Sequence, residues 1–215
     1  MRKKLATEEL IMEATKSKVA AVLIQEPYTG SARGMRSYPG VRIFQDNASG
    51  DETVKAVIAV LDGSIDVIQY PKITTKNIVV VGLVTKAWKI TLVFYYFEPD
   101  SQMGAYMCQL KIIAGEPELG IIIDGDANAW NTWWGSVTTN APGEELLETL
   151  NELDLQVLNV GDTPTFDTLR GGRRFYSHVD VTICISNVLS TLLGTGGLLR
   201  ASRARITMES FSTLN

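Results

Sequence analysis

The sequence predicts an α/β sandwich, in which helices cover the sheets of one strand-rich domain over residues 1–215. Two continuous apolar runs, residues 19–24 and 119–123, are typical of strands buried on both faces. Several further segments are rich in β-branched residues and bounded by Gly, Pro, Asp or Asn. No repeat, linker or low-complexity tract divides the chain, so a single domain is the economical interpretation.

The predicted elements begin with a helix over residues 5–17, which Thr7 can cap and which has acidic residues in its first turn. The strand over residues 19–24 follows. Residues 28–40 are rich in Gly, Ser, Arg and Tyr, which indicates an exposed loop. Later in the chain come strands over 41–45, 54–61, 65–69, 77–85 and 89–97, a helix over 102–114, a strand over 119–123, a helix over 144–153 and a strand over 180–185.

The formal net charge of −4 argues against a protein that coats nucleic acid by bulk charge. It does not exclude a nuclease, because a metal-dependent active site concentrates carboxylates and local basic loops can contact DNA. The two cysteines, Cys108 and Cys184, lie far apart with no CxxC pair, which favours a reducing intracellular setting. No apolar stretch approaches the roughly 18 residues that a membrane span needs, so no membrane partner is expected.

Polar side chains follow both of the predicted buried strands. Glu26 comes directly after the first, where a carboxylate at a sheet rim suits a hard cation, although an ordinary solvated strand end is the alternative. Asp126 and Asn128 follow the second, two positions apart, so both can face one cleft. Asp can bind metal or accept a proton, and Asn can donate to a phosphate oxygen. An Asx turn would explain the same two residues.

Two more strand ends have polar residues. Tyr96 can place its hydroxyl in the same cleft, although adjacent tyrosines on a strand are more often core plus surface. Asp180 opens an apolar strand, where a partly buried carboxylate needs a partner. Three of the four tryptophans, at positions 130, 133 and 134, follow Asp126, and loop tryptophans are costly unless they pack under a site or stack on a ligand. Because functional residues gather where strand ends converge, these strand ends together predict one site.

These segments resemble the apurinic-type endonuclease domain of non-LTR retrotransposons, within the endonuclease/exonuclease/phosphatase superfamily, and in particular that of the TRAS-type elements. The matching stretches, in the family's order and over nearly the whole chain, are residues 23–28 (LIQEPY), 95–99 (YYFEP), 125–129 (GDANA), 133–135 (WWG), 164–167 (PTFD) and 179–182 (VDVT). The resemblance implies a four-layer α/β sandwich of two mixed or antiparallel sheets flanked by helices.

The resemblance also implies a role for each residue of the predicted site. Glu26 would hold a divalent metal, Mg²⁺ or Mn²⁺, and Asp126 would orient or deprotonate the attacking water. Asn128 and Tyr96 would contact the scissile phosphate, and Asp180 would orient a catalytic histidine. The implied reaction is hydrolysis of a phosphodiester of double-stranded DNA, which leaves a 3′-hydroxyl for the reverse transcriptase domain of the same element in cis. A nuclear location is expected.

Two parts of the family pattern differ in this chain. The family begins with a strand whose Asn helps to build the metal and phosphate site, whereas this chain starts with residues 1–4 (MRKK), which match the segment after that strand. The family also has a Ser-Asp-His motif and a final strand where this chain has residues 211–215 (FSTLN). We therefore expect a domain truncated at both ends, lacking the first and last strands, with weak or no nicking. His178 is expected at the surface or the cleft rim rather than as a substitute base.

Three groups of arginines are candidates for contact with DNA. The first flanks Gly171-Gly172, and a Gly-rich basic loop suits contact with the DNA backbone, although a solvated hairpin tip is the alternative. The second lies in the loop after Glu26, and the third is also consistent with an exposed strand or tail. The groups are Arg170, Arg173 and Arg174; Arg33 and Arg36; and Arg200, Arg203 and Arg205.

Two other functions remain open at this point. One keeps the fold but changes the substrate to a small phosphodiester, a phosphoinositide or a sphingolipid. The other is a catalytically inactive mobile-element remnant that retains DNA binding.

Overall fold

A computed structural model describes residues 4–47, 52–99, 101–116, 120–159 and 164–185, and the backbone of residues 199–202 and 205–208. The helices are α1 (Lys4–Lys16), α2 (Met103–Ala114) and α3 (Ala141–Glu152), with a 3-10 helix at Thr132–Trp134. The strands are β1 (Ala21–Gln25), β2 (Arg42–Phe44), β3 (Ala56–Val60), β4 (Asp66–Gln69), β5 (Ile78–Val84), β6 (Lys89–Tyr96), β7 (Ile121–Asp126), β8 (Leu155–Val157), β9 (Phe166–Arg170), β10 (Arg173–Ser177), β11 (Asp180–Ile185), β12 (Leu199–Ser202) and β13 (Arg205–Met208).

Two sheets form the centre of the fold. The larger has six strands in the order β4-β5-β6-β7-β11-β8, all antiparallel except for the parallel pair β6–β7. The smaller has the antiparallel order β1-β3-β2. The four remaining strands form two hairpins, β9–β10 and β12–β13, and β13 lies beside β1.

The sheets pack face to face through alternate side chains of their strands. Leu23 and Ile58 of the small sheet share one buried cluster with Val81, Leu92 and Ile122 of the large sheet. Because successive side chains of a strand point to opposite faces, the remaining residues of each strand face outward. This alternation supplies a second apolar surface on each sheet, which a helix must cover.

Helices cover both outer surfaces. Leu10 and Ala14 of α1 pack against Val22 and Ile24 of β1 on the outside of the small sheet. On the outside of the large sheet, α2 and α3 cover a cluster that also contains Val80, Val93 and Ile123 from three neighbouring strands. The layers therefore run helix, sheet, sheet, helices, which confirms the predicted four-layer α/β sandwich.

The predicted elements are confirmed with bounds that differ by a few residues, but Thr7 is not the cap of α1. The helix begins at Lys4, and Thr7 is a buried residue within it. α3 begins at Ala141, three residues earlier than predicted, because the side chain of Asn140 accepts a hydrogen bond from the backbone N–H of Gly143. Pro142 also suits the first turn of a helix.

None of the helices in the described part of the chain has the length and apolar character needed to cross a membrane.

Candidate active site

Four strand ends meet at one rim of the two sheets. In the large sheet, Tyr96 of β6 is the register partner of Asp126 of β7, and Asp126 is the register partner of Asp180 of β11. These three residues therefore stand in a row across neighbouring strands. From the small sheet, the amide Nε2 of Gln25 lies 3.5 Å from Asp126 Oδ2. The structure thus brings polar residues of both sheets together, as the sequence predicted.

Glu26 follows Gln25 at the end of β1 and adopts a left-handed backbone with φ of 44°. Its backbone N–H donates to the carbonyl of Lys55 at 2.8 Å, which holds this turn against the start of β3. Its carboxylate side chain is 23% exposed. The Glu26 charge is near enough to contribute to the raised pKa values of both Tyr96 and Asp126. Glu26 and Asp126 therefore lie close enough for their charges to interact.

Asn128 is held by the Asx turn that was the alternative explanation for its motif. Its backbone N–H donates to Asp126 Oδ1 at 2.9 Å, and its side-chain Nδ2 donates to the carbonyl of Phe97 at 2.8 Å. Its φ is 44°, so it also has a left-handed backbone. Such conformations cost on the order of 1–3 kcal/mol in a non-glycine residue and often occur at functional sites. The turn and the site are thus compatible, because the turn fixes the position of Asn128.

Gly125 allows the strands under the site to approach closely. A Cβ atom at this position would lie 2.0 Å from the backbone oxygen of Tyr95. Only glycine fits this spacing between β6 and β7. The side chain of Tyr95 itself is fully buried, and its hydroxyl donates to the carbonyl of Val181 at 3.1 Å. The close approach of Gly125 to Tyr95, and the hydrogen bond from Tyr95 to Val181, therefore fix the backbone of β7 between its two neighbouring strands.

Three aspartates at this rim have raised pKa values. Burial raises the pKa of Asp126 to about 6, although hydrogen bonds from Asn128 and Gln25 lower it. Burial, together with the charges of Asp126 and Asp124, raises the pKa of Asp180 to about 7. Burial also raises the pKa of Asp124 to about 6, opposed by the hydroxyl of Thr182, which donates to Asp124 Oδ1. The rim therefore has an excess of negative charge in a poorly solvated place.

Asp124 and two supporting residues were not predicted from the sequence. The side chain of Asn159 bridges β11 by donating to the carbonyl of Asp180 and accepting from the N–H of Thr182. The hydroxyl of Thr165 accepts from the backbone N–H groups of Val179 and Asp180, at 3.0 and 3.1 Å. Thr165 lies in the PTFD stretch of the family pattern, which was the available signal for it.

The tryptophans beside the site divide into one buried and two exposed side chains. Trp134 is 1% exposed and its Nε1 donates to the carbonyl of Ala129, so it packs under the turn that follows Asp126. Trp130 and Trp133 are 46% and 67% exposed. The side chain of Asn140 accepts from the N–H of Trp130 and so ties this turn to the start of α3.

The arginine groups differ in their surroundings. Arg173 is exposed on β10 after a turn of two glycines with positive φ, whereas Arg174 makes a two-point salt bridge with Asp167 at 3.0 and 2.8 Å. Arg36 pairs with Glu8 and lies over a tyrosine ring, while the side chain of Arg33 is exposed. The side chains of Arg170, Arg200 and Arg205, and all of Arg203, lie outside the described residues.

His178 is buried, with 7% exposure, so of the two expected positions the surface one is wrong and the cleft rim stays a prediction. Its backbone carbonyl accepts the hydroxyl of Ser136, which joins the tryptophan-rich turn to the strand that begins at Asp180. Residues 1–3 and 209–215 lie outside the described residues. The expected differences from the family's Asn strand and Ser-Asp-His motif fall there.

The donor set at the rim fits a hydrated divalent cation rather than a closed protein cage. Within the described ranges, no group of three or more His, Cys, Asp or Glu side chains is arranged to hold a metal ion. Mg²⁺ commonly keeps several waters and uses one or two carboxylates together with phosphate oxygens. Glu26 supplies a partly exposed carboxylate next to the acidic rim. The residues present therefore fit one cation at Glu26.

Comparison with known proteins gives a family profile and a set of solved structures. The profile described as endonuclease-reverse transcriptase matches residues 90–198. The endonuclease domain of TRAS1, a telomere-specific non-LTR retrotransposon, is 54% identical over 88% of this chain and 83% of that chain, with a TM-score of 0.79. The 3′ phosphatase NExo from Neisseria, bound to a product DNA hairpin, is 15% identical over 94% of this chain and 92% of that chain, with a TM-score of 0.57. The human Nocturnin catalytic domain is 12% identical over 82% of this chain and 73% of that chain, with a TM-score of 0.50. No curated protein matches the sequence.

The four-layer sandwich and its polar rim define the class of endonuclease/exonuclease/phosphatase enzymes, which cleave phosphate esters. Within that class, the chain belongs to the endonuclease-reverse transcriptase family, and it is a nuclease domain of the non-LTR retrotransposon type. Enzymes of this family are generally dependent on a divalent metal.

Proposed function

We propose that this domain nicks double-stranded DNA with the help of Mg²⁺ or Mn²⁺ held at Glu26, and leaves a 3′-hydroxyl that primes reverse transcription by the reverse transcriptase domain of the same element. The observation that supports this most is the row of Tyr96, Asp126 and Asp180 in one sheet, which Gln25 contacts from the other sheet, with Glu26 next to it in the chain. We further propose that residues 1–215 form one domain that acts in the nucleus.

Glu26 is the proposed ligand of the cation because its carboxylate is partly exposed beside the acidic rim. The cation, when bound, neutralises the charge that develops on the phosphate during the displacement. Glu26 is kept in place by its strand end and by the backbone hydrogen bond to Lys55. A carboxylate that is fixed before binding needs less reorganisation on the path to the transition state.

Asp126 is the proposed base that orients and deprotonates the attacking water. Burial raises the pKa of this carboxyl to about 6, so at neutral pH it is ionised and more basic than an exposed aspartate. The N–H of Asn128 and the amide of Gln25 hold its two oxygens in a fixed orientation. A water on this carboxylate is therefore aimed as well as activated.

Asn128 and Tyr96 are the proposed contacts of the scissile phosphate. Burial, followed by the charges of Glu26 and Asp126, raises the pKa of Tyr96 to about 12, so its hydroxyl keeps its proton. A protonated phenol and a neutral amide are both hydrogen-bond donors without charge. The family role of Asp180 is to orient a histidine, but the one histidine of this sequence is His178, which is not proposed as a base, so no role in the reaction is assigned to Asp180 here.

The β9–β10 hairpin is the proposed contact with the DNA backbone. It exposes Arg173, Phe175 and Tyr176 on strands that lead directly into β11, and Arg170 and Arg174 belong to the same hairpin. Arg33, in the loop after Glu26, adds an exposed cation, whereas Arg36 already pairs with Glu8. With a net charge of −4 for the whole chain, such local groups must supply the attraction for phosphate.

Nicking of supercoiled plasmid with Mg²⁺ tests the proposal. Asp126→Asn keeps the shape of the side chain but removes the base, and we expect the rate to fall by roughly 10²–10³, the range seen when one group that stabilises the transition state is lost. Asp66→Asn, at an exposed position of β4, is the matched control and should leave the rate unchanged. The sequence predicts a low rate for the parent protein, so the assay is run long enough to measure it, and equal measurable rates for the parent protein and Asp126→Asn would overturn the proposed role of this site.

A further inference from the structure

A row of alternating charges leads away from Glu26 along the rim of the two sheets. Lys55 Nζ lies 3.8 Å from Glu26 Oε1 and 3.4 Å from Glu98 Oε2. Lys76 Nζ then lies 3.3 Å from Glu98 Oε1 and 2.8 Å from Glu52 Oε1. Lys55 is therefore shared between the proposed cation ligand and a second carboxylate that has no assigned role.

The backbone holds this row in order. The N–H of Glu26 donates to the carbonyl of Lys55 at 2.8 Å, and the N–H of Lys55 donates to the carbonyl of Lys76 at 2.7 Å. The neighbouring Asn77 accepts at its carbonyl from the N–H of Tyr96 at 2.9 Å, and its side chain donates to the carbonyl of the same residue at 2.8 Å. The order of the charges thus follows from the hydrogen bonding of the strand ends, not from the flexible side chains alone.

The two carboxylates that share Lys55 differ in their other partners. Glu98 also receives Lys76 and, at 3.5 Å, the amide of Asn77. Its pKa is lowered although burial acts to raise it, because Lys76 and Lys55 favour its charged form. The side chains of Lys55, Glu26 and Glu98 are only 23%, 23% and 28% exposed, so water screens their interactions incompletely.

We propose that Lys55 is a positioning residue that competes with the divalent cation for Glu26, and that Glu98 sets the strength of this competition by holding Lys55. The ammonium holds the Glu26 carboxylate on the side of Lys55 until a cation arrives. When the cation binds, Lys55 remains paired with Glu98 and is not left as an unpaired cation. This inference rests on the proposed cation site at Glu26.

The competition gives changes of opposite sign in two variants. Lys55→Met removes the competing charge, and we expect the cation to bind roughly 3- to 30-fold more tightly, as fits one charge about 4 Å away in a partly exposed site. Glu98→Gln leaves Lys55 with Glu26 as its main partner, so the cation should bind several-fold more weakly. Lys55→Arg restores the charge and should bind the cation like the parent protein.

The test is direct measurement of Mn²⁺ affinity by electron paramagnetic resonance, without DNA and without turnover, on folded proteins whose circular dichroism spectra match. In the double variant Lys55→Met with Glu98→Gln, the loss of Glu98 should have little further effect, because Glu98 acts through Lys55. Lys72→Met, at an exposed lysine of the β4–β5 connection, is the matched control and should not change the affinity.

The outcomes separate this inference from the function on which it rests. Tighter binding in Lys55→Met, weaker binding in Glu98→Gln and recovery in Lys55→Arg support the competition. Unchanged or weaker binding in Lys55→Met, alongside clearly weaker binding in Glu26→Gln, overturns the role of Lys55 and leaves the cation site in place. Unchanged binding in Glu26→Gln removes the cation site itself, and the competition with it.

Discussion

At the scale of single residues, the main feature is a group of carboxyls that the fold keeps away from water. Asp126 and Asp180 are register partners at the rim, and Asp124 lies one pair further into the sheet, on the same side of β7 as Asp126 and Ile122. Of these three carboxyls, Asp126 is the one with a proposed role in the reaction. Asp124 is paired with the hydroxyl of Thr182, which is a weak partner for a buried charge. It therefore costs the folded state free energy whenever it is ionised.

Asp124→Asn should stabilise the protein at neutral and higher pH. The folded pKa of about 6 lies above the ordinary value of 3.8, so the unfavourable ionisation is absent below pH about 4 and fully present above pH about 6. Roughly two pKa units at about 1.4 kcal/mol each give an upper limit near 3 kcal/mol for the gain. Urea unfolding should show this gain in the free energy of unfolding at pH 8 and little or no gain at pH 4.

Asp66→Asn serves as the control for this experiment because Asp66 is exposed at the start of β4. It should change the free energy of unfolding by little at either pH. A loss of stability in Asp124→Asn at pH 8, or a gain of equal size at both pH values, would show that the ionised Asp124 carboxylate does not destabilise the folded state.

At the scale of elements, the β9–β10 hairpin differs from the rest of the fold because both of its faces expose apolar side chains. Leu169 and Tyr176 are 72% and 56% exposed, and Phe166 and Phe175 are 43% and 49% exposed. The register pairs Asp167 with Tyr176 and Thr168 with Phe175. Because successive residues of a strand face opposite sides, Leu169 and Tyr176 lie on one face of the hairpin and Phe166 and Phe175 lie on the other. A projecting hairpin with arginines and exposed rings suits the surface of a nucleic acid.

Arg173→Ala should reduce the salt dependence of DNA binding more than Arg174→Ala does. Arg173 is free of the two-point salt bridge that occupies Arg174 with Asp167, so it is the better contact for a phosphate. Loss of one phosphate contact lowers the slope of log Kd against log salt by about 0.9 on duplex DNA. Fluorescence anisotropy with a labelled duplex in EDTA, which prevents cleavage, measures this slope. An unchanged slope in Arg173→Ala would remove this residue from the DNA interface.

The elements that the sequence predicted best are those buried on both faces. β1 and β7 begin as continuous apolar runs and are followed by polar residues, so Glu26, Asp126 and Asn128 were predicted with them as candidate site residues. From the sequence, the β9–β10 hairpin was only the alternative to a basic DNA-contacting loop. A strand pair that exposes both faces has no periodic pattern of buried residues from which it could be predicted. Asn159 was missed for a different reason. Its hydrogen bonds reach 21 and 23 residues along the chain, and no local pattern records such a distance.

At the scale of the whole molecule, the candidate site residues lie together because two sheets end at the same place. The small sheet supplies Gln25 and Glu26, and the large sheet supplies Tyr96, Asp126 and Asp180. The sequence alone predicted the strands but not how the sheets face each other. That arrangement came from the family resemblance, and the buried cluster shared by the two sheets confirms it. Neither sheet holds the proposed pocket by itself.

In the proposed function, Glu26 and Asp126, which lie on different sheets, border one pocket for a cation and a phosphate. A crystal structure of the protein with Mn²⁺, with the anomalous signal of the metal recorded, tests this most directly. We expect a metal peak within coordination distance of the Glu26 carboxylate, on the side that faces Asp126 and Tyr96. A peak bound elsewhere, with Glu26 still paired with Lys55, would contradict it.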